Sequence, residues 1–135
     1  MELSANNSWT TEILGFLMDH AFDTSDSVVY CIASEEIGAI KIGISSAPGA
    51  RLKALQTASF ATLSITCLLR GGKSLEGKLH KFFRRHCENR GEWFKRNAVL
   101  DEFLDLARGY DVRYKRHLPI PPDARDLNKL MEAVQ

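Results

Sequence analysis

Two short apolar runs on either side of an acidic turn constrain the fold of this chain more than any other feature. The first reads VVYCIA over 28–33, the second reads GAIKIGI over 38–44, and SEEI separates them. Runs of this length that are rich in β-branched residues and bounded by turn-forming residues are typical of a β-hairpin. Since successive side chains of a strand point to opposite faces, the pattern also indicates which residues share a face.

The predicted register pairs Ala33 with Gly38, which places Tyr30 opposite Lys41. A slip by one residue would bury the Lys41 ammonium among isoleucines, so the sequence favours this assignment of faces. Tyr30, Lys41 and Gly43 then share one face, and the glycine leaves open space beside the two polar side chains. The other face is apolar and carries Val29, Cys31, Ile40, Ile42 and Ile44.

Hydrophobic periodicity predicts the elements around this hairpin. Helices are predicted over 9–22, 49–57 and 74–86 and from Asn97 to Gly109. Ser74 is the predicted N-cap of the third helix. That helix carries an apolar stripe of Leu75, Leu79, Phe82 and Phe83.

A third strand is predicted over 62–69, with its apolar side chains alternating along one face. These are Leu63, Ile65, Cys67 and Leu69. The expected fold is α+β, a small three-stranded antiparallel sheet flanked by helices, with extra helices at the N- and C-termini. The predicted organisation is an N-terminal helical extension over 1–27, a central domain over 28–109, and a Pro-containing C-terminal extension with a helix over 110–135.

Cysteine usage and hydropathy predict a cytoplasmic protein without a membrane partner. The three cysteines include no C-x-x-C pair, which favours free thiols in a reducing compartment. No apolar run reaches the roughly 18–20 residues that span a bilayer. The N-terminal residues lack the basic start and the apolar core of a secretory signal.

Charge is unevenly distributed along the chain, although the formal net charge is only +1. Segment 70–96 holds nine Lys or Arg residues against three Glu, a local charge of +6, whereas residues 1–27 contain neither Lys nor Arg. A locally basic face on a nearly neutral protein favours a phosphate-bearing partner. A solvated helix surface gives the same pattern.

Four sequence blocks in order resemble a known nuclease superfamily. VVY and KIG are separated by ten residues and are followed by RL..LQT, E..LH..F and GEWF. This order resembles the GIY-YIG nuclease superfamily, and within it a compact branch found in phage and bacterial proteins and in a yeast protein named for meiotic up-regulation. The resemblance extends over about 28–104.

The resemblance implies a metal-dependent endonuclease that hydrolyses DNA phosphodiester bonds on a three-stranded antiparallel sheet. Tyr30 matches the tyrosine of the first motif, to which family mechanisms assign the role of general base or water-positioning group. Arg51 matches the arginine thought to bind the scissile phosphate, and Glu76 matches the single metal-binding glutamate. Lys41 occupies the place of the second-motif tyrosine, as in some restriction-enzyme members.

These residue types suit phosphodiester hydrolysis, which needs a deprotonated water and stabilised charge on the phosphoryl oxygens. A phenol is a weak base unless a cation stabilises the phenolate, and Lys41 and Arg51 are the cations expected near Tyr30. Lys41 itself is the alternative base if it loses its proton beside Arg51. One glutamate suffices for a hard cation that completes its shell with water and phosphate oxygens. Mg²⁺ is therefore the expected metal, with Mn²⁺ as an alternative.

His80 follows Glu76 by one helical turn and lies on the same side of the helix. It is expected either to donate to a phosphate or orient Glu76, or to be a hydrogen-bonded histidine at the edge of the core. A zinc site built from Glu76 and His80 is disfavoured because the sequence shows no third ligand of suitable type. Many superfamily members also carry a late asparagine in the site. Asn89 and Asn97 are loose candidates, neither is assigned, and Asn97 is predicted to cap a helix.

The aromatic residues of the GEWF block, Trp93 and Phe94, are predicted to pack under the sheet rather than stack on bases. Three functions fit the sequence. The first is the DNA endonuclease, and the second is a catalytically impaired DNA-binding or regulatory module, favoured by Lys41 and the unassigned asparagine. The third is an interaction protein whose C-terminal helix recruits partners, with a homodimer through the terminal helices as one form.

Overall fold

The structure is a computed structural model that describes residues 3–114. The helix predicted in the C-terminal extension lies outside these residues. Five strands form one antiparallel sheet: β1 (Val28–Ser34), β2 (Ala39–Ser45), β3 (Leu63–Leu69), β4 (Asn89–Arg90) and β5 (Trp93–Lys95). Their order across the sheet is β3-β1-β2-β5-β4.

The α+β class is confirmed, but the prediction of a three-stranded sheet was wrong. β4 and β5 form a second, short hairpin, which extends the sheet beyond β2. Gly91 lies in the tight turn between them with a φ of +61°, a conformation that glycine adopts without strain. Strands of two and three residues are too short to show an alternating pattern in the sequence.

Four α-helices cover the sheet within the described residues. They are α1 (Leu3–Asp19), α2 (Pro48–Thr57), α3 (Gly72–His86) and α4 (Ala98–Ala107), and a 3₁₀ turn (Arg108–Tyr110) follows α4. Asn97 caps α4 as predicted, because its side chain accepts a hydrogen bond from the Leu100 N–H at 3.0 Å. Ser74 does not cap α3. That helix begins at Gly72, and its N-cap is Gly71.

The hairpin register differs from the prediction by two residues. Ala33 pairs with Ile40 rather than with Gly38, and Tyr30 therefore lies opposite Gly43. Because side chains alternate with a period of two, this shift leaves every residue on its predicted face. The turn keeps its predicted length of four residues and moves by one position, from 34–37 to 35–38.

β3 departs from simple alternation because its pairing with β1 shifts between Cys31 and Ile32. Thr66 is the extra residue of this β-bulge, and its hydroxyl donates to the Cys31 carbonyl at 2.9 Å. The prediction that the apolar side chains of β3 share one face was therefore wrong. Leu63 and Ile65 pack on one face of the sheet, and Cys67 and Leu69 pack on the other.

The main core lies between the sheet and helices α1, α3 and α4. The whole predicted stripe of α3 is buried there, and α1 contributes Ile13 and Leu17. A smaller cluster on the opposite face surrounds Tyr30 and packs against Leu52 and Leu55 of α2. Among the described helices, α2 is the one that packs on the Tyr30 face of the hairpin.

The three cysteines are free and buried, in agreement with the prediction of free thiols. Within residues 3–114 no helix is both long and apolar enough to cross a membrane.

Candidate active site

Three consecutive residues of β2 each contact one part of a polar site. β5 pairs with β2 only as far as Lys41 and Trp93, so within residues 3–114 no strand pairs with this edge of β2 from Ile42 onward. The turn before β5 contributes one further bond, from the Ile42 N–H to the Glu92 carbonyl at 3.2 Å. Lys41, Ile42 and Gly43 therefore face groups that arrive from other elements.

Gly43 determines where the Tyr30 phenol lies. A Cβ atom at this position would lie 2.4 Å from the phenol oxygen and 2.6 Å from Cζ, so the ring occupies space that only glycine leaves free. Arg51 of α2 donates a long hydrogen bond of 3.4 Å from Nε to the phenol oxygen. That bond, together with the charge of the phenolate form, raises the pKa of Arg51. Arg51 is otherwise exposed, so the rest of its guanidinium is accessible to a ligand.

Lys41 forms an ion pair with Glu92, whose Oε1 lies 2.6 Å from the ammonium. Lys41 is buried, whereas the Glu92 side chain is 46 % exposed. The hydrogen bond from Lys41 is the main cause that lowers the pKa of Glu92, and the charges of His80 and Arg51 act in the same direction. This pair could not be predicted from the sequence, since its members are 51 residues apart.

This difference in burial predicts an asymmetry between two substitutions. Glu92→Gln leaves the buried ammonium without a counter-charge, whereas Lys41→Met leaves a half-exposed carboxylate that water can solvate. We expect Glu92→Gln to lower the free energy of unfolding by about 1–2 kcal/mol more than Lys41→Met does. Urea denaturation of both variants at pH 7 measures the difference. Equal losses would show that Lys41 reaches solvent when Glu92 is removed.

The pair also contributes a pH dependence with a defined sign. Because the pKa of Glu92 is lowered in the folded state, the pair stabilises the fold above the carboxyl's ordinary pKa. That contribution is lost as the pH falls through the lowered value. The Lys41→Met variant should therefore show a smaller loss of stability on acidification than the wild type.

His80 connects α3 to the open edge of β2. Its Nε2 lies 2.6 Å from the Ile42 carbonyl oxygen. A carbonyl can only accept, so Nε2 carries the hydrogen. The same nitrogen is 3.9 Å from Oε2 of Glu76, and the buried ring packs edge-on against Phe94. His80 thus lies at the edge of the core, where it is hydrogen-bonded and next to Glu76.

Glu76, His80 and Glu92 each place one potential ligand atom within 4.8 Å of the others. Glu92 is the third group that the sequence analysis did not find. The bond from His80 Nε2 to Ile42 occupies the nitrogen that faces Glu76, which leaves two carboxylates as the principal donors. Carboxylate oxygens suit a hard cation such as Mg²⁺ or Mn²⁺ better than a soft one, so the donor set fits the expected metal.

The two candidate asparagines, Asn89 and Asn97, lie at the β4–β5 hairpin and at the start of α4. Asn97 serves as the cap of α4, and its amide also donates to the His86 carbonyl at 2.7 Å. Asn89 lies on the edge strand β4. Tyr30 and Arg51 contact each other beside Gly43, while Glu76, His80 and Glu92 form a second group beside Lys41 and Ile42.

The aromatic residues of the GEWF block separate onto opposite faces of the sheet. Phe94 is fully buried in the main core, as predicted. Trp93 lies on the other face, where it is partly buried and packs against the Tyr30 cluster, so the two aromatics pack on different sides of the sheet. The Lys41 ammonium lies 6.0 Å from the centroid of its ring, within the range of a cation–π contact.

The basic segment is partly neutralised by acidic partners. Arg85 pairs with Glu12 of α1 at 3.0 Å, and Arg96 pairs with Asp101 of α4 at 3.0 Å. Exposed basic side chains also lie along α3: Lys73, Lys78, Lys81 and Arg84. The positive charge available to a partner is therefore smaller than the sequence count suggests.

Comparison with curated proteins finds no match, and comparison with solved structures finds none either. The family model of the T5orf172 domain matches residues 27–108. This match covers more than half of the chain and includes β1 to β5, α2 to α4 and every candidate site residue. Domains of this family are DNA-binding or nuclease-like, which is compatible with a function on DNA. The chain therefore belongs to the T5orf172 domain family.

Proposed function

We propose that this protein is a metal-dependent endonuclease that hydrolyses DNA phosphodiester bonds through a site of the GIY-YIG type. One observation carries the proposal, namely the meeting of a phenol, a guanidinium and two carboxylates around three consecutive residues of β2. These groups are the ones that hydrolysis of a phosphodiester requires.

Glu76 and Glu92 are the residues that would hold the divalent cation. Glu92 binds Lys41 through Oε1, so its second oxygen is free of this contact. The cation would supply charge stabilisation at the phosphate and activate a bound water. His80 acts as a positioning residue, because its bond to the Ile42 carbonyl fixes the ring beside Glu76.

Arg51 is the proposed phosphate ligand. Its Nε is directed at the phenol oxygen, which leaves the terminal nitrogens for phosphoryl oxygens. A guanidinium can serve both partners because its donors form a rigid planar fork. A phosphate bound there would lie next to the Tyr30 oxygen.

Tyr30 is the proposed base or water-positioning group. The sequence left Lys41 as an alternative base, but its nitrogen is engaged in a hydrogen bond to the Glu92 carboxylate. Lys41 is better suited to fix the Glu92 carboxylate than to accept a proton. The phenol oxygen, held between Arg51 and Gly43, is the better-placed acceptor.

A catalytically impaired DNA-binding module is the second candidate function. The ion pair between Lys41 and Glu92 favours it, because it neutralises one of the two carboxylates that would hold the cation. Both candidates predict DNA binding, and only the first predicts turnover.

Cleavage of supercoiled plasmid DNA distinguishes the two candidates. We expect nicked or linear product with Mg²⁺ or Mn²⁺ and none when EDTA is present in excess. A mobility shift measured at the same protein concentrations reports binding. Salt-sensitive binding without any product in either metal would support the DNA-binding module and contradict the endonuclease.

A further inference from the structure

A cleft of about 490 Å³ lies beside the candidate site, between the tip of the β1–β2 hairpin and the β4–β5 hairpin. Trp93, Ile37 and Ala39 supply apolar lining, and the polar lining residues are Glu88, Asn89, Arg90 and Lys95. The Glu88 carboxylate lies 4.0 Å from the Lys95 ammonium, so the net charge of the lining comes from Arg90. The volume is in the range of small-molecule sites, about 300–1,000 Å³. It is large enough for one nucleoside unit.

The cleft and the candidate site lie on the same face of β2. Ala39 pairs with Lys95, and two residues further along Lys41 pairs with Trp93. Trp93 lines the cleft and also lies 6.0 Å from the Lys41 nitrogen, so it borders both. A strand rises about 3.3 Å per residue, which places Ala39 about 13 Å from Gly43. A ligand in the cleft is thus within one or two nucleotides of the Tyr30 and Arg51 side chains.

The chemistry of the cleft matches a nucleobase better than a charged small molecule. The Trp93 ring packs against the Tyr30 cluster on one side, which fixes its position, and it borders the cleft on the other. Ile37 at the hairpin tip is 66 % exposed and supplies an apolar wall that a base can cover. Arg90 is exposed at the rim, where a phosphate of the same strand would lie.

We propose that this cleft binds one unpaired base of a DNA strand, stacked on Trp93, next to the phosphate held at Arg51. The inference rests on the proposed function only for the placement of a phosphate at Arg51. It does not require that the protein cleaves DNA. It names the substrate as DNA with a base out of the stack, as in single-stranded, mismatched or distorted segments. Stacking of this kind tolerates any base, because every base offers a π-face.

Intrinsic fluorescence isolates the contact because the chain has only two tryptophans. Trp9→Phe removes the other one and keeps an aromatic ring beside His86. We would combine it with Glu76→Gln and work in EDTA, so that no strand is cut. A single-stranded oligodeoxynucleotide is expected to quench Trp93 fluorescence in a saturable manner.

The matched ligand is a strand of equal length in which every base is replaced by an abasic site. Its phosphates are unchanged, so binding to basic side chains alone would give the same affinity. We expect no quenching by the abasic strand and an affinity about tenfold lower. Arg84→Ala serves as the matched protein control for Arg90→Ala. Both remove an exposed arginine, and only Arg90 lines the cleft.

Anisotropy of a labelled strand tests Trp93 directly. Trp93→Ala should weaken binding of the normal strand about tenfold without affecting the abasic strand, and Trp93→Phe should restore it. Two results would overturn the inference without contradicting the endonuclease. One is equal affinity for the two strands without quenching, and the other is no binding of either strand. Quenching by the normal strand in a protein that does not cleave plasmid would support the base cleft and overturn the proposed function.

Discussion

Glu76→Gln should abolish metal-dependent cleavage of plasmid DNA, with a loss in rate of about 10³-fold or more. Glutamine has the shape of glutamate but not its charge, and a divalent cation held by only one remaining carboxylate loses several kcal/mol of the stabilisation it offers. The side chain makes no hydrogen bond in the described structure, and its carboxylate lies 3.9 Å from His80 Nε2, so the fold should be unaffected. Initial nicking rates and a calorimetric titration with Mn²⁺ measure the two consequences.

Glu102→Gln is the matched control. Glu102 lies on α4 and accepts a hydrogen bond from Thr10 at 2.9 Å, which a glutamine oxygen can also accept. The substitution removes the same charge at a distance from the site, and we expect the rate to stay within about twofold of the wild type. Cleavage by Glu76→Gln at the wild-type rate would mean that Glu76 holds no catalytic metal or that the activity comes from another protein.

Arg51→Lys should lower the cleavage rate by about 10²–10³-fold, the usual effect of removing one donor that stabilises transition-state charge. Lysine keeps the positive charge, but its single nitrogen cannot bind the phenol oxygen and a phosphate together in the geometry of a guanidinium. DNA binding should change only slightly, since the net charge is the same. The loss is therefore expected in the rate at saturating DNA rather than in the concentration that gives half-maximal rate.

Arg84→Lys provides the comparison for this experiment, because Arg84 is exposed on α3. Its rate should equal that of the wild type. A normal rate in Arg51→Lys would contradict the role of Arg51 as a bidentate phosphate ligand, and charge alone would then explain its contribution.

Features governed by local periodicity could be predicted from the sequence. The two faces of the β1–β2 hairpin were correct because alternation with a period of two depends only on parity. The same parity explains why the register could be wrong by two residues while Tyr30, Lys41 and Gly43 stayed on one face. The stripe of α3 was correct for the analogous reason, since helical spacing determines which side chains meet the core.

Features that depend on pairing between distant segments could not be predicted. The β4–β5 hairpin contains too few residues for a periodic signal, and the bulge at Thr66 reverses the faces of β3 without changing its composition. The position of Glu92 could not be predicted because the β4–β5 hairpin could not be predicted. Only when β5 pairs with β2 does the preceding turn bring its carboxylate to Lys41.

The space beneath the Tyr30 ring has a consequence for how this protein tolerates change. Every substitution at position 43 adds at least one carbon atom, and that atom would fall well inside the van der Waals radius of the phenol. There is no side chain of intermediate size, so the phenol either keeps its place or is expelled. Any substitution of Gly43 is therefore expected to displace the phenol completely. Substitutions in the neighbouring ion pair of Lys41 and Glu92 can change the site in small steps.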